Sequence, residues 1–110
     1  MISLDPIIES VRTECYDDFV GLWSVARLVR SSLPEPSQTR QVTLAIIGKL
    51  LTDGDIAAGQ FEGRDFVKWT APLEAIISTI GKEWTKLSRD PDIGEIVWLT
   101  ARKRVKEQCE

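Results

Sequence analysis

The chain has 110 residues, enough for one domain and too few for two. Hydrophobic residues make up 43% and charged residues 28%, so it can build one core and is neither disordered nor of low complexity. Lys and Arg number 14 against 17 Asp and Glu, a net charge of −3 with no histidine. That balance argues against the basic footprint of a nucleic-acid binder and rules out Ser-His and Cys-His catalysis.

The first segment, "LDPIIESVRTEC", predicts a helix over about residues 6 to 16. Asp5 stands as its N-cap and Pro6 in its first turn, while Ile7, Ile8, Val11 and Cys15 share one face. The opening residues lack a basic stretch followed by an apolar run, so no signal peptide is expected. Next, "DDFVGLWSVARLVRSSLPEP" predicts a second helix, capped by Asp17 or Asp18. Its apolar positions are Phe19, Leu22, Trp23, Ala26 and Val29, and Gly21 permits either close packing or a break. The prolines end it.

"SQTRQVTLAIIGKLLTDG" predicts a third helix over roughly 38 to 53, with Ser37 as cap. Val42, Leu44, Ala45, Ile46, Ile47, Leu50 and Leu51 spread over so much of its circumference that it should be central. Asp53-Gly54 supplies the stop. The stretches 55–61 and 65–69 read as a β-hairpin joined through "EGR", with Gly59 and Gly63 at bulge and turn positions. "APLEAIISTIGKEWTKLSRDP" carries an apolar stripe of Leu73, Ile76, Ile77, Ile80, Trp84 and Leu87, with Pro72 and Glu74 in the first turn. The last segment, "DPDIGEIVWLTARKRVKEQCE", fits a helix over 93–107 opened by an Asp92/Glu95 capping box. "EIVWLT" has β character as well, and we take the helical reading. The tail from about 103 should be exposed.

No constellation for chemistry emerges. The pairs Asp17/Asp18, Asp53/Asp55 and Asp90/Asp92 fall at helix boundaries, where aspartates cap and turn the chain. Cys15 and Cys109 are far apart and suit thiols in a reducing compartment. No zinc spacing or phosphate loop is present, so neither metal nor cofactor is expected. Trp23, Trp69, Trp84 and Trp98 fit core packing better than base stacking, since basic residues do not alternate with them.

Helix followed by hairpin is the back half of a winged helix, a shape that commonly sits on DNA. Over residues 38–69, however, Arg40, Lys49, Arg64 and Lys68 are matched by Asp53, Asp55, Glu62 and Asp65, so little counterion release is available. The expected fold is mostly α (α+β), winged-helix-like, with four or five helices and one small hairpin in a single domain spanning 1–110.

The runs "DDFVGLW", "LLTDGDIAAGQF", "FVKW" and "IGKEWTKLSRDPDIGEIVWLT" resemble a family of small bacterial proteins, some encoded beside polymorphic-toxin loci. The resemblance covers roughly residues 17 to 100. The matching Gly54, Trp69, Trp84, Pro91, Gly94 and Trp98 look architectural, and no catalytic residues carry over. It implies a small, mostly α, winged-helix-like fold. The implied role is that of a cytoplasmic immunity protein in contact-dependent growth inhibition or a related toxin system. Its partner would be a cognate protein toxin, such as a nuclease whose basic cleft an acidic surface blocks. Candidate contacts are the turn acids Asp53, Asp55, Glu62 and Asp65. Nucleic acid and membrane are not expected partners, and self-association stays open. The competing readings are a winged-helix DNA-binding regulator and a cytoplasmic adaptor or dimerisation domain.

Overall fold

Helical periodicity and one long-range strand pairing together build the molecule. The computed structural model describes residues 4–33 and 36–104. The first helix, α1 (Asp5–Asp17), buries the expected Ile7, Ile8, Val11 and Cys15. Its N-cap is Leu4, not Asp5. Asp5 is the first helical residue, where its charge still favours the positive helix end.

The second segment departs from expectation. The chain is extended at Asp18 and forms a two-residue strand, β1 (Val20–Gly21), before α2 (Leu22–Ser32) begins. Neither Asp17 nor Asp18 caps α2, and Phe19 is not on its face. Pairing decides this: Val20 lies opposite Leu99, and the Leu22 amide donates to the Val97 carbonyl at 3.1 Å. Within α2, Leu22, Val25, Ala26 and Val29 are buried.

Helix α3 (Thr39–Thr52) follows a single 3-10 turn, Pro36–Gln38, which contains Ser37. The N-cap is Gln38 and makes no side-chain cap bond, so Ser37 is not the cap. Thr39, Thr43, Ile46, Ile47 and Leu50 are buried and Ala45 is exposed. The helix packs on both α2 and α4, as its wide apolar surface requires. Gly54, at φ 79°, turns the chain out of it.

Strands β2 (Ile56–Glu62) and β3 (Asp65–Lys68) form the hairpin, with Gly63 at φ 66° in a two-residue turn. Gly59 makes no bulge: it pairs with Lys68 on one side and Trp98 on the other. Helix α4 (Leu73–Leu87) starts after Pro72, its N-cap. Ile76, Ile80 and Trp84 are buried, Ile77 and Leu87 are partly covered, and Leu73 at the end of the stripe is exposed.

The largest correction is the C-terminal segment. It is not a helix but a strand, β4 (Trp98–Ala101), followed by a 3-10 turn, Arg102–Arg104. Ile93, expected on a helical face, is 70% exposed, and Ile96 sits at φ 71°, which a helix excludes. The Asp92/Glu95 pair does bond, Asp92 N–H to Glu95 Oε1 at 2.7 Å, within a turn. Residues 105–110, including Cys109, lie outside the described residues.

Strand β4 inserts between β1 and β2, giving a fully antiparallel sheet in the order β1-β4-β2-β3. The hairpin is thus half of a four-stranded sheet, and with four α-helices among the described residues the class is α+β. One sheet face, with Val20, Ile56, Ala58 and Leu99, joins Ile46, Ile47, Leu50 and Ile80 in a single core. Among the described residues no helix is long and apolar enough to cross a membrane.

Candidate functional site

The four turn acids do not form one patch. Asp53 follows the last residue of α3 and pairs with Lys49 at 3.2 Å. Asp55 is half-buried and accepts the Arg12 Nε–H at 2.9 Å, while Arg12 also pairs with Glu9. These two acids clamp α1 to the turn between α3 and β2. Glu62 and Asp65 stand opposite each other at the hairpin tip, exposed and without an ion pair among the described residues. Seven residues of extended chain separate the two pairs, on the order of 20 Å.

The structure gathers a different group. Register places Phe61 opposite Phe66, and Gly59 opposite both Lys68 and Trp98. Alternation puts all of these on one face of the sheet, away from the core face. Phe19, leading into β1, completes a cluster of rings. Its centroid lies 4.9 Å from that of Phe61 and 5.2 Å from that of Phe66, and Phe61 lies 5.5 Å from Trp98 in an edge-to-face arrangement. The cluster is open: Phe61 is 37% exposed, and Phe19, Phe66 and Trp98 are half-buried.

Two glycines pave this face. A Cβ on Gly59 would meet the Val67 carbonyl oxygen at 2.2 Å and the Phe66 ring at 2.8 Å. One on Gly21 would meet the Trp23 ring at 2.6 Å and Trp98 at 3.5 Å. Side chains at either place would lift the rings off the strands.

Acids border the cluster. Helix α1 ends with Glu14 and Asp17, and Asp18 follows. These three, with Phe19, Trp23 and Trp98, line a cavity of about 270 Å³. None of the three carboxylates is in an ion pair among the described residues; Asp18 Oδ1 accepts the Phe19 amide at 2.7 Å. Among the described residues Glu9, Asp53, Asp55, Glu83, Asp90 and Glu95 are each in an ion pair, as in Asp90 with Arg30 at 2.6 Å. Arg27 lies over the Trp23 ring, 5.0 Å from its centroid.

The loop into β4 holds Trp98 in place. Glu95 receives Arg89 through two bonds, at 2.8 and 2.9 Å, and the Asp92 amide at 2.7 Å. The Arg89 hydrogen bond, then the backbone bond from Asp92, lower the Glu95 pKa to about 2. Gln60 Nε2 donates to the Ile96 carbonyl at 2.8 Å, tying the same loop to β2.

Ring stacking, apolar contact and attraction of cations are what this face can do. Sequence reasoning assigned Asp17 and Asp18 to capping and Trp98 to the core, and it passed over Phe61 and Phe66. One signal could have found the two phenylalanines: a two-residue turn at 63–64 sets residue 61 opposite 66. No protein-family model matches the chain, and no curated protein or solved structure matches it either.

Proposed function

We propose that this protein is a non-catalytic binding module that docks another protein on the aromatic sheet face. Its partner is a toxin that it neutralises in the cytoplasm, as an immunity protein of the contact-dependent growth inhibition type does. The observation that carries the docking reading is the open cluster of Phe19, Phe61, Phe66 and Trp98 beside unpaired acids. Aromatic anchors dominate protein interfaces, and charge around them sets partner choice and association rate. The toxin reading rests on the family resemblance and suits the net charge of −3. Of the turn acids, Glu62 and Asp65 flank Phe61 and Phe66 in sequence at the hairpin tip but alternate to the other face of the sheet, and Asp53 and Asp55 serve the α1 clamp, so none of the four lines the aromatic face.

The α3–β2–β3 unit is read as winged-helix-like, but as a scaffold. A groove-reading helix must present its cations. Here Arg40 donates to Thr85 Oγ1 at 2.9 Å, Lys49 is paired with Asp53, and α4 packs against the helix. That favours a protein partner over a duplex.

Co-expression with the toxic domain encoded by the neighbouring gene tests the proposal. Protected cells and a complex on gel filtration are expected, with Phe61→Ala plus Trp98→Ala losing both while remaining folded. Cells that die as readily with the protein as without it, and no complex, overturn the toxin reading. Nanomolar binding of duplex DNA with a steep salt dependence would replace it with a regulator.

A further inference from the structure

The aromatic face has a charge signature specific enough to name what it binds, given the docking reading above. Helix α1 carries no basic residue in its last turn. Instead Glu14, Asp17 and Asp18 crowd its C-terminal end, where the helix dipole is already negative and cations are preferred. Lys103, from the turn after β4, lies over the Tyr16 ring of the same helix turn, 4.8 Å from its centroid, but it does not line the cavity beside them, and among the described residues none of the three acids has an ion-pair partner. Their charge faces a cavity that Phe19, Trp23 and Trp98 also line, together with Val20, Gly21 and Ser24. Arg27, from α2, touches the Trp23 ring but does not line the cavity. At about 270 Å³ the cavity falls below the roughly 300–1,000 Å³ of small-molecule sites, and it suits a single inserted side chain.

We propose that the face is docked by an arginine-bearing segment of the partner protein, the arginine entering this cavity and apolar neighbours covering Phe61 and Phe66. A guanidinium is planar, stacks on aromatic faces and offers paired N–H donors to carboxylates. A lysine ammonium would be attracted by the same charge but would gain less from flat ring walls. The three carboxylates give the negative potential and the rings give the shape. The partner's cation supplies the positive charge that the cavity, which no Lys or Arg lines, does not hold.

The test uses the whole ¹⁵N-labelled chain, whose four tryptophans report separately through their indole N–H signals. The probes are two blocked tripeptides, acetyl-Leu-Arg-Leu-amide and its citrulline counterpart, which keeps the shape and loses the charge. Expected is a saturable shift of the Trp23 and Trp98 signals with the arginine peptide, with Trp69 and Trp84 unmoved. Affinity should fall at least tenfold for the citrulline peptide and at least fivefold for the variant Asp17→Asn with Asp18→Asn. Asparagine at position 18 keeps an oxygen for the Phe19 amide, and unchanged amide spectra verify the fold. Equal affinity for both peptides, an unaffected double variant, or equal shifts of all four indoles overturns the proposal. So does concentration-dependent dimerisation that moves Trp98 without any peptide, or tighter binding of oligo(dT) at the same indoles. Arginine-peptide binding without toxin protection would sink the toxin reading alone; protection without peptide binding would sink this inference alone.

Discussion

Two glycines should respond in opposite directions to the same change, and the structure gives the size of each response. Gly59 lies in the middle of β2, paired on both sides. An alanine Cβ there would be 2.2 Å from the Val67 carbonyl oxygen and 2.9 Å from its carbon. Both atoms are backbone, so no rotamer change relieves the contact, and β3 must move outward by about 1 Å from a normal strand spacing of ~4.8 Å. Overpacking of this kind costs about 1–3 kcal/mol. The shift also strains the neighbouring bond from the Trp69 amide to the Ala58 carbonyl, 2.8 Å long. Losing one such bond adds about 0.5–1.5 kcal/mol. Gly59→Ala is therefore expected to destabilise by roughly 2–4 kcal/mol. Gly48, in the middle of α3, is the control: a Cβ there meets only the Ile77 Cδ1 at 3.8 Å, an ordinary contact. Gly48→Ala should stabilise by about 0.5–1 kcal/mol through helix propensity. Equilibrium urea unfolding followed by tryptophan fluorescence measures both as shifts in midpoint at constant slope. A Gly59→Ala protein within 0.5 kcal/mol of wild type, or a destabilised Gly48→Ala, refutes this reasoning.

Ile80, fully buried on α4, should lose about 2–5 kcal/mol on replacement by alanine, and the half-covered Ile77 less, measured by the same unfolding. Asp17→Asn should raise stability by about 0.3–1 kcal/mol, because an acid is removed from the negative end of α1, and the gain should shrink in high salt. The Glu95 pKa is lowered from 4.5 to about 2 in the fold, so its stabilisation is present above pH 4.5 and is lost as pH falls toward 2. A pH titration of thermal stability should show this acid-sensitive component in wild type and not in Glu95→Gln.

Local physics made several elements legible. Helical period and flanking breakers placed α1, α3 and α4 within a residue or two, because a helix closes its hydrogen bonds within one turn of its own sequence. The buried faces of α1 and the middle of α4 followed from the same spacing. Gly54 and Gly63 marked their turns because both positions take positive φ, which glycine adopts without strain. Of the candidate acids, Glu62 and Asp65 could be placed at the hairpin tip from sequence. Their separation from Asp53 and Asp55 follows from the same hairpin, since an extended strand carries its two ends apart by about 3.3 Å per residue.

What only the tertiary structure decided depends on partners far away in the chain. β1 is two residues long and exists because Val20 and Gly21 meet Leu99 and Trp98. β4 is central, and its apolar run "IVWL" satisfies a helical face as well as a buried strand, so period alone could not choose. The positive φ at Ile96 and the ladder to Ile56–Gly59 made the choice. The aromatic face needed both decisions, since Phe19 reaches it through β1 and Trp98 through β4. Composition and helical period are local quantities and determined α1, α3 and α4. Strand pairing is non-local, and it alone set the sheet order and brought Phe19, Phe61, Phe66 and Trp98 together.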